Sequence, residues 1–442
     1  MFSDALLLPT ADLPATDWKH LVEHLPFEWI EDALAYTGRA SIRQRRLPAQ
    51  QVVWLVISLA LFRHRSVRQV MAELDLALPD LTDRCVSDSA VTQARQRLGE
   101  DPLAWLFTTS ARAWYAQDNH RNLSGGLRLL AMDGTSLKLA DSEANRDHFG
   151  APHFAAGAVA SYPHARMVTL TALSTQLVLA AQFGPFGLSE KALTLQLLDE
   201  IPDQSLTVLD KGFMSAELMG KLRRGGQERH FIVPAKSNQR WELIEGTVED
   251  GMVKIAVTAA ARKSDPELGT HWRARAVRCE HGDDKEMYLL TSLTDKKRFP
   301  ARAIQQLHCE RWKIETSYRE LKQSMMGMAL SLRSHSVEAT RQEIWGCLIA
   351  YNLIRVEMAR VADEAQCAPT EISFVLALHA FQFEMMHAAV LHAQGNLPGV
   401  LKRMRERMIQ ELNVYRPGRK FARVAKAKPQ RYPERRLKRA LT

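Results

Sequence analysis

Two segments of this chain share one plan, and that plan limits the folds open to it. Leu127-Arg-Leu-Leu-Ala-Met-Asp133-Gly-Thr and Ser205-Leu-Thr-Val-Leu-Asp210-Lys-Gly-Phe each read as a short apolar strand that ends at an aspartate and runs into a glycine turn. A strand holds its last carboxylate rigidly at the edge of a sheet, and Gly134 lets the chain turn away and leave room for a ligand. After the second segment, Ser215 can cap a following helix. One Asp-Gly strand end is an ordinary turn. Two of them, in a chain with a third acidic motif further on, call for a common purpose.

The third motif is His308-Cys-Glu-Arg-Trp-Lys-Ile-Glu-Thr-Ser-Tyr-Arg-Glu-Leu-Lys322. Read as one regular helix, it puts His308, Arg311, Glu315 and Lys322 within about 60° of arc. An apolar stripe of Leu307, Ile314, Leu321 and Met325 runs beside them and can pack on a core. A carboxylate between two fixed cations suits a site that binds both a metal and a phosphate. An exposed helix laced with i,i+4 ion pairs would show the same spacing. The spacing resembles the Tyr-x2-Arg-x3-Glu-x6-Lys signature of IS4-family DDE transposases, with His308 at the Tyr position. An imidazole N–H can also donate to a phosphate.

The order Asp133, Asp210, Glu315 resembles the DDE triad of RNase H-like nucleotidyl transferases. That resemblance implies a metal site for Mg²⁺, with Mn²⁺ able to substitute. Mg²⁺ is a hard cation that prefers oxygen ligands, and paired ions activate the attacking oxygen and stabilise the leaving one in a phosphoryl displacement. Asp133, Asp210 and Glu315 would be both the catalytic and the metal-binding residues. Arg311 and Lys322 would hold backbone phosphates, Arg bidentately and Lys as a point charge. His308 and Arg319, on the same segment, join them as expected DNA contacts. Asp141 and Asp147, in the long Asp141–Pro163 loop, are the alternative carboxylates. No His/Cys cluster has zinc spacing, and neither an ATP-binding Gly-x4-Gly-Lys-Ser/Thr loop nor a Gly-x-Ser-x-Gly elbow occurs.

The expected fold is an α/β RNase H-like catalytic core with a β-rich insertion, an N-terminal all-α domain and a C-terminal helical region. The expected bounds are 1–115 for the helical DNA-binding domain and 116–330 for the core, with the insertion at about 235–295. The C-terminal helices take 331–415 and a basic tail takes 416–442. In the N-terminal part, Leu34 to Gln44 reads as a helical lead-in. Pro48 opens an apolar helix from Ala49 to Phe62, Ser66 caps a short one, and Ser89 caps one to Leu98 bearing Arg95 and Arg97. Two short helices before a Gln/Arg-bearing one are compatible with a helix-turn-helix reader, which makes Arg95 and Arg97 candidate DNA contacts. Phe27-Glu-Trp-Ile-Glu-Asp-Ala-Leu, Arg45-Arg-Leu-Pro and Ser89-Ala-Val-Thr-Gln-Ala-Arg-Gln-Arg-Leu resemble the N-terminal domain of IS4-type transposases. Met167–Leu173 and Leu177–Phe183 form an expected hairpin, Ser189 caps a helix, and Trp241 and Trp272 are candidates to stack an extruded base.

The charge is placed unevenly. Residues 416–442 carry eleven Lys/Arg and one Glu, net +10, whereas the whole chain is +9, so the remainder sums to −1. Such a tail is attracted to phosphate backbones. The five cysteines are scattered without paired spacing, which fits a reduced compartment. The N-terminus shows no signal pattern, and the longest apolar run, Val52 to Phe62, is too short to span a bilayer. The reading is a DNA transposase of an insertion sequence, working by cut-and-paste. It would cleave DNA with metal, form and reopen a hairpin, and transfer the strand. Its partners would be double-stranded DNA, both terminal inverted repeats and target, and a second copy in a synaptic homodimer. No membrane partner is expected, and the site of action is cytoplasmic, at the bacterial nucleoid. The alternatives are a nuclease of the same fold that cuts without joining, and a catalytically inactive, transposase-derived DNA-binding protein.

Overall fold

The computed structural model describes residues 25–40, 47–73, 87–118, 123–153, 159–281, 285–327 and 331–391. Arg45 and Arg46, the helix expected after Pro398 and the basic tail lie outside the described residues.

Five helices come first: α1 (Phe27–Tyr36), α2 (Ala49–Leu61), α3 (Val67–Glu73), α4 (Asp88–Leu98) and α5 (Asp101–Gln117). Of the expected lead-in helix, residues 34–36 belong to α1, which begins at Phe27 and ends before Gly38; residues 41–44 lie outside the described residues. Ser87, not Ser89, caps α4, its Oγ accepting from the Ala90 amide. Helix α2 is apolar all round and buried along its length, as a helix in the middle of a core must be. The expected boundary at 115/116 falls inside α5.

The strands are β1 (Leu123–Ser124), β2 (Leu127–Lys138), β3 (His164–Ala172), β4 (Val178–Pro185), β5 (Ser205–Leu209) and β6 (Arg229–Pro234), then β7 (Glu242–Gly246), β8 (Asp250–Ala256), β9 (His271–His281) and β10 (Lys285–Thr291). Nine of them form one sheet in the order β4-β3-β2-β5-β6-β10-β9-β8-β7, with β1 on β2. Strands β2, β5 and β6 run parallel, and β3 and β4 are the expected hairpin beside them. This is the arrangement an RNase H-like core requires. The β-rich insertion is not a separate unit, because β10 pairs antiparallel with β6 and the meander β7 to β10 prolongs the same sheet. Between the strands lie α6 (Glu143–Phe149), which the sequence reading took as loop, α7 (Glu190–Leu195), α8 (Ala216–Arg224) and α9 (Ala259–Ser264). Ser189 and Ser215 cap α7 and α8 through their hydroxyls, as expected.

After the sheet come α10 (Ala301–Cys309), α11 (Trp312–Arg319), α12 (Val337–Ala365) and α13 (Phe374–Leu391). Helix α12 ties the N-terminal helices to the sheet. At Gly346 a side chain would meet the Val56 carbonyl oxygen at 3.0 Å, so glycine is what lets α12 and α2 approach backbone to backbone. The Arg333 guanidinium donates to the carbonyls of Phe62 and Arg65 just past the end of α2, at 3.0 and 2.7 Å. Buried Glu343 accepts from Arg63 and from the amides of Arg333 and Ser334, so every charge in this joint has a partner. Asn352 seals the outer strand β4 by pairing both ways with the Val178 backbone, at 2.9 and 2.8 Å. One apolar core runs through all these layers.

Candidate active site

Parallel pairing sets the first two carboxylates side by side. Met132 of β2 is in register with Leu209 of β5, and the next residue in each chain is an aspartate. Strand β5 ends there as expected. Asp210 leads into a 3₁₀ turn and accepts weakly from the Gly212 amide at 3.4 Å. Strand β2 differs from the expectation. It continues five residues past Asp133 to Lys138, held by β3, so Asp133 sits within the strand and Gly134 makes no turn. Glycine leaves room there for a side chain: a Cβ at Gly134 would lie 2.5 Å from Cδ of Glu190, which would have to move aside.

The motif segment is not one regular helix either. Between α10 and α11 the backbone bonds tighten to an i,i+3 pattern, with the Arg311 amide donating to the His308 carbonyl and Ile314 to Arg311. After α11 it widens into a π turn over Glu320–Met325, closed by the Met326 amide on the Leu321 carbonyl at 2.9 Å. The widened turn brings Lys322 to β2, where Nζ donates to Thr135 Oγ1 at 3.1 Å. Thr135 lies two residues from Asp133 and so on the same face of the sheet.

All three expected carboxylates converge on Arg311. Its Nη1 lies 3.8 Å from Asp133 Oδ2, and its Nη2 lies 4.0 Å from Asp210 Oδ1 and 3.0 Å from Glu315 Oε1. The Arg311 side chain is only 12% exposed and Asp133 lies largely buried beside it, while Asp210 and Glu315, at 48% and 39%, open the cluster to solvent. Burial pushes the Asp133 carboxyl up to about 6, against the Gly134 amide and Arg311, which lower it; Asp210 and Glu190 add to the rise. The donor set is that of a site for a hard divalent cation: three carboxylates from three separate elements around one centre. That centre is filled by the guanidinium, and among the described residues no three acidic or imidazole side chains close on one point as they stand.

Two participants escaped the sequence reading. Buried Tyr318, three residues past Glu315, donates to the Asp133 carbonyl and lies 2.9 Å from Thr169 Oγ1, so it clamps α11 to β2. Burial keeps its phenol neutral far above the ordinary range. Its place on the inner face of α11 was open to periodicity. Glu190, at the start of α7, had no sequence signal beyond a capped helix.

The remaining candidates divide. His308 is half-buried in the last turn of α10. Arg319 is exposed and lines a cleft of about 390 Å³ with Thr316 and Ser373. Arg97 is exposed on α4. Arg95 is corrected: its guanidinium is spent inside the protein on Gln342 Oε1, Ser334 Oγ and the Ala339 carbonyl, at 3.2, 3.1 and 2.9 Å. Burial lowers its pKa, but its role is to fix α4 to α12. Trp241 packs on Tyr288 and Trp272 on Phe231, both partly buried, while Trp312 stands 61% exposed beside Arg311. Asp141 is held by Arg146, away from the three carboxylates.

Comparison with known proteins agrees in kind. Residues 15–108 match a family described as the N-terminal region of insertion element 4 transposases, and residues 124–353 match the transposase DDE domain. The transposase InsG for insertion sequence element IS4 of Escherichia coli (strain K12) is 36% identical over 419 residues, 93% of either chain. The putative transposase InsZ of that strain is 34% identical over 245 residues, 55% of this chain and 79% of that one. A piggyBac transposase synaptic complex with hairpin DNA, seen by cryo-EM, aligns over 91% of this chain and 85% of its own at 11% identity. The TM-score of that alignment is 0.40.

Proposed function

The chain belongs to the IS4-type DDE transposases, the transposases of insertion sequences, and from that membership we propose that Asp133, Asp210 and Glu315 are its catalytic carboxylates. The observation that supports this most is their meeting, from β2, the end of β5 and α11, around a single guanidinium. DDE transposases work with divalent metal ions; here Mg²⁺ is the proposed ion, with Mn²⁺ as substitute. Bound ions would supply a Lewis acid and an activated oxygen for displacement at phosphorus. The rest falls to the protein. The three carboxylates supply hard oxygen donors on elements that cannot drift apart. Arg311 turns from them to a backbone phosphate when DNA arrives, and Lys322 holds a neighbouring phosphate from the π turn. Tyr318 keeps the Asp133 backbone in register with α11. His308 donates an imidazole N–H where relatives of the signature use a phenol.

The proposed reaction is cut-and-paste: cleavage at the element ends, a hairpin intermediate, and joining of the freed 3′-hydroxyl to target DNA. Two copies would pair the two inverted-repeat ends at the nucleoid. Exposed Arg97 and the basic tail would add sequence-independent grip. Among the described residues no helix is long and apolar enough to cross a membrane.

The test uses the purified chain and a plasmid carrying its gene with native flanking DNA. In Mg²⁺, excision at the flanks with hairpin ends, lost in Glu315→Gln, is expected. Binding without cutting in Mg²⁺ or Mn²⁺ would refute the catalytic reading and leave an inactive DNA-binding descendant.

A further inference from the structure

The segment that carries Glu315 and Lys322 is gripped from two sides, and the grip behind it involves neither the triad nor the signature. A π turn is rarer than the α turn it replaces, so the wide turn over Glu320–Met325 calls for contacts that keep it. On the sheet side, Tyr318 donates to the Asp133 carbonyl and Lys322 Nζ to Thr135 Oγ1. On the other side stands α12. Glu320 is the first residue of the π turn, and its carboxylate accepts from the Arg355 guanidinium and, at 3.2 Å, from the Tyr351 hydroxyl. Arg355 Nε donates to the same hydroxyl at 2.9 Å, so the three groups close a ring of hydrogen bonds. The Arg355 side chain is 1% exposed and that of Glu320 is 15% exposed. Phe374, at the start of α13, covers them, its ring centre 5.2 Å from the guanidinium and 5.3 Å from the Tyr351 ring. Burying two charges costs free energy, and an apolar pair of similar size often packs as stably. What a hydrogen-bonded charge pair adds to packing is one fixed register. Here the register is the single residue by which a π turn differs from an α turn. Lys322 lies two residues past Glu320, and a slip to α geometry would re-aim its side chain.

We propose that Glu320 and Arg355 are positioning residues of the active site: their buried pair, completed by Tyr351, sets the register of the π turn and so aims Lys322 at the DNA phosphate beside the three carboxylates. Neither residue touches DNA or the reacting atoms. This rests on the reading of Lys322 as a phosphate contact given above. A lysine acts as a point charge, and its effect depends on where it stands. Loss of the pair therefore acts through Lys322 and not in addition to it. A misplacement of about 1 Å in such a group can cost on the order of a hundredfold in rate.

The experiment uses the full chain and two readouts: single-turnover cleavage of the plasmid with native flanks in Mg²⁺, and binding of a flank fragment in EDTA over a range of salt. One variant joins Glu320→Gln to Arg355→Met, which removes the pair without leaving a buried charge. The others are Tyr351→Phe, Lys322→Ala, and Lys322→Ala added to each of these; thermal unfolding shows which are folded. The paired variant is expected to cleave about tenfold or more slowly and to lower the slope of log affinity against log salt by about one, as Lys322→Ala does. Once Lys322 is already alanine, removing the pair should change either readout by no more than about twofold. Tyr351→Phe, which takes away one donor to Glu320, should act in the same direction by a smaller factor, and it carries the same comparison with Lys322→Ala if the paired variant does not fold. Wild-type cleavage and salt slope without the pair would overturn the inference. So would losses that multiply with that of Lys322→Ala, since a merely structural pair acts independently of it. Wild-type behaviour of Lys322→Ala would instead refute the phosphate contact, and this inference with it. If wild type binds the flank and cuts nothing, the catalytic reading fails, and the salt slopes still decide this one.

Discussion

Substitution of Asp133 by Asn should stabilise the metal-free protein, and the size of the gain should depend on pH. The carboxyl is raised from 3.8 to about 6, chiefly by burial. Below pH 3.8 it is protonated in the folded and unfolded chains alike and costs nothing. As pH rises, the unfolded chain ionises first while the folded one keeps its proton, so folding stability declines until the folded group has also ionised, a little above pH 6. The rise is about two pH units, and at about 1.4 kcal/mol for each the penalty at pH 8 approaches 3 kcal/mol. An amide carries no such penalty and can still accept from the Gly134 amide, as the carboxylate does at 2.7 Å. It gives up the 3.8 Å contact with Arg311, so about 3 kcal/mol is the upper bound. Urea unfolding in EDTA, followed by tryptophan fluorescence from pH 4.5 to 8.5, measures the difference. Asp133→Asn should already lead by about 1 kcal/mol at pH 4.5, where the unfolded chain is largely ionised, and by increasingly more toward pH 8. Mg²⁺ at pH 8 should raise wild type alone, by mass action. Parallel stability curves for the two proteins, or an Asn variant that is less stable at pH 8, would refute the account of a strained carboxylate held for metal.

Arg311→Gln removes the cation that occupies the centre of the three carboxylates. Mn²⁺ binding to the DNA-free protein should tighten by tenfold or more while plasmid cleavage falls, since the phosphate contact goes with it; calorimetry and a nicking assay read the two effects, and unchanged metal affinity would argue against competition. Arg95→Ala and Arg97→Ala should separate structure from binding. Arg95→Ala should cost about 2–3 kcal/mol of stability with the affinity of the folded protein for DNA unaltered. Arg97→Ala should leave stability alone, weaken DNA binding and lower the slope of log affinity against log salt by about one. Reversed outcomes would restore the helix-turn-helix reading of Arg95.

Much of this protein was legible from short patterns. Apolar strands closed by Asp133-Gly and Asp210-Lys-Gly, and an Arg-Trp-x-Ile-Glu segment, identified the three carboxylates, because residue type and local period record which groups share a strand end or a helix face. The caps at Ser189 and Ser215 and the core helix after Pro48 were equally plain, since their causes lie within a few residues. What the pattern could not carry was anything decided by a partner distant in sequence. Gly134 resembles a turn former, yet its chain runs straight on because β3 pairs with it, and Glu190 takes the room it leaves. Arg95 sits among exposed polar residues of α4, but α12 draws it inward. The insertion reads as β-rich, but its place in the core is settled only where β10 finds the free edge of β6. The tight and wide turns on either side of α11 follow from fitting that segment to β2, through Tyr318 on the Asp133 carbonyl and Lys322 on Thr135. Local sequence determined which chemical groups stand at strand ends and on helix faces. Only the tertiary structure, by bringing those groups together at a few ångströms, decided that Arg311 would gather the three acids.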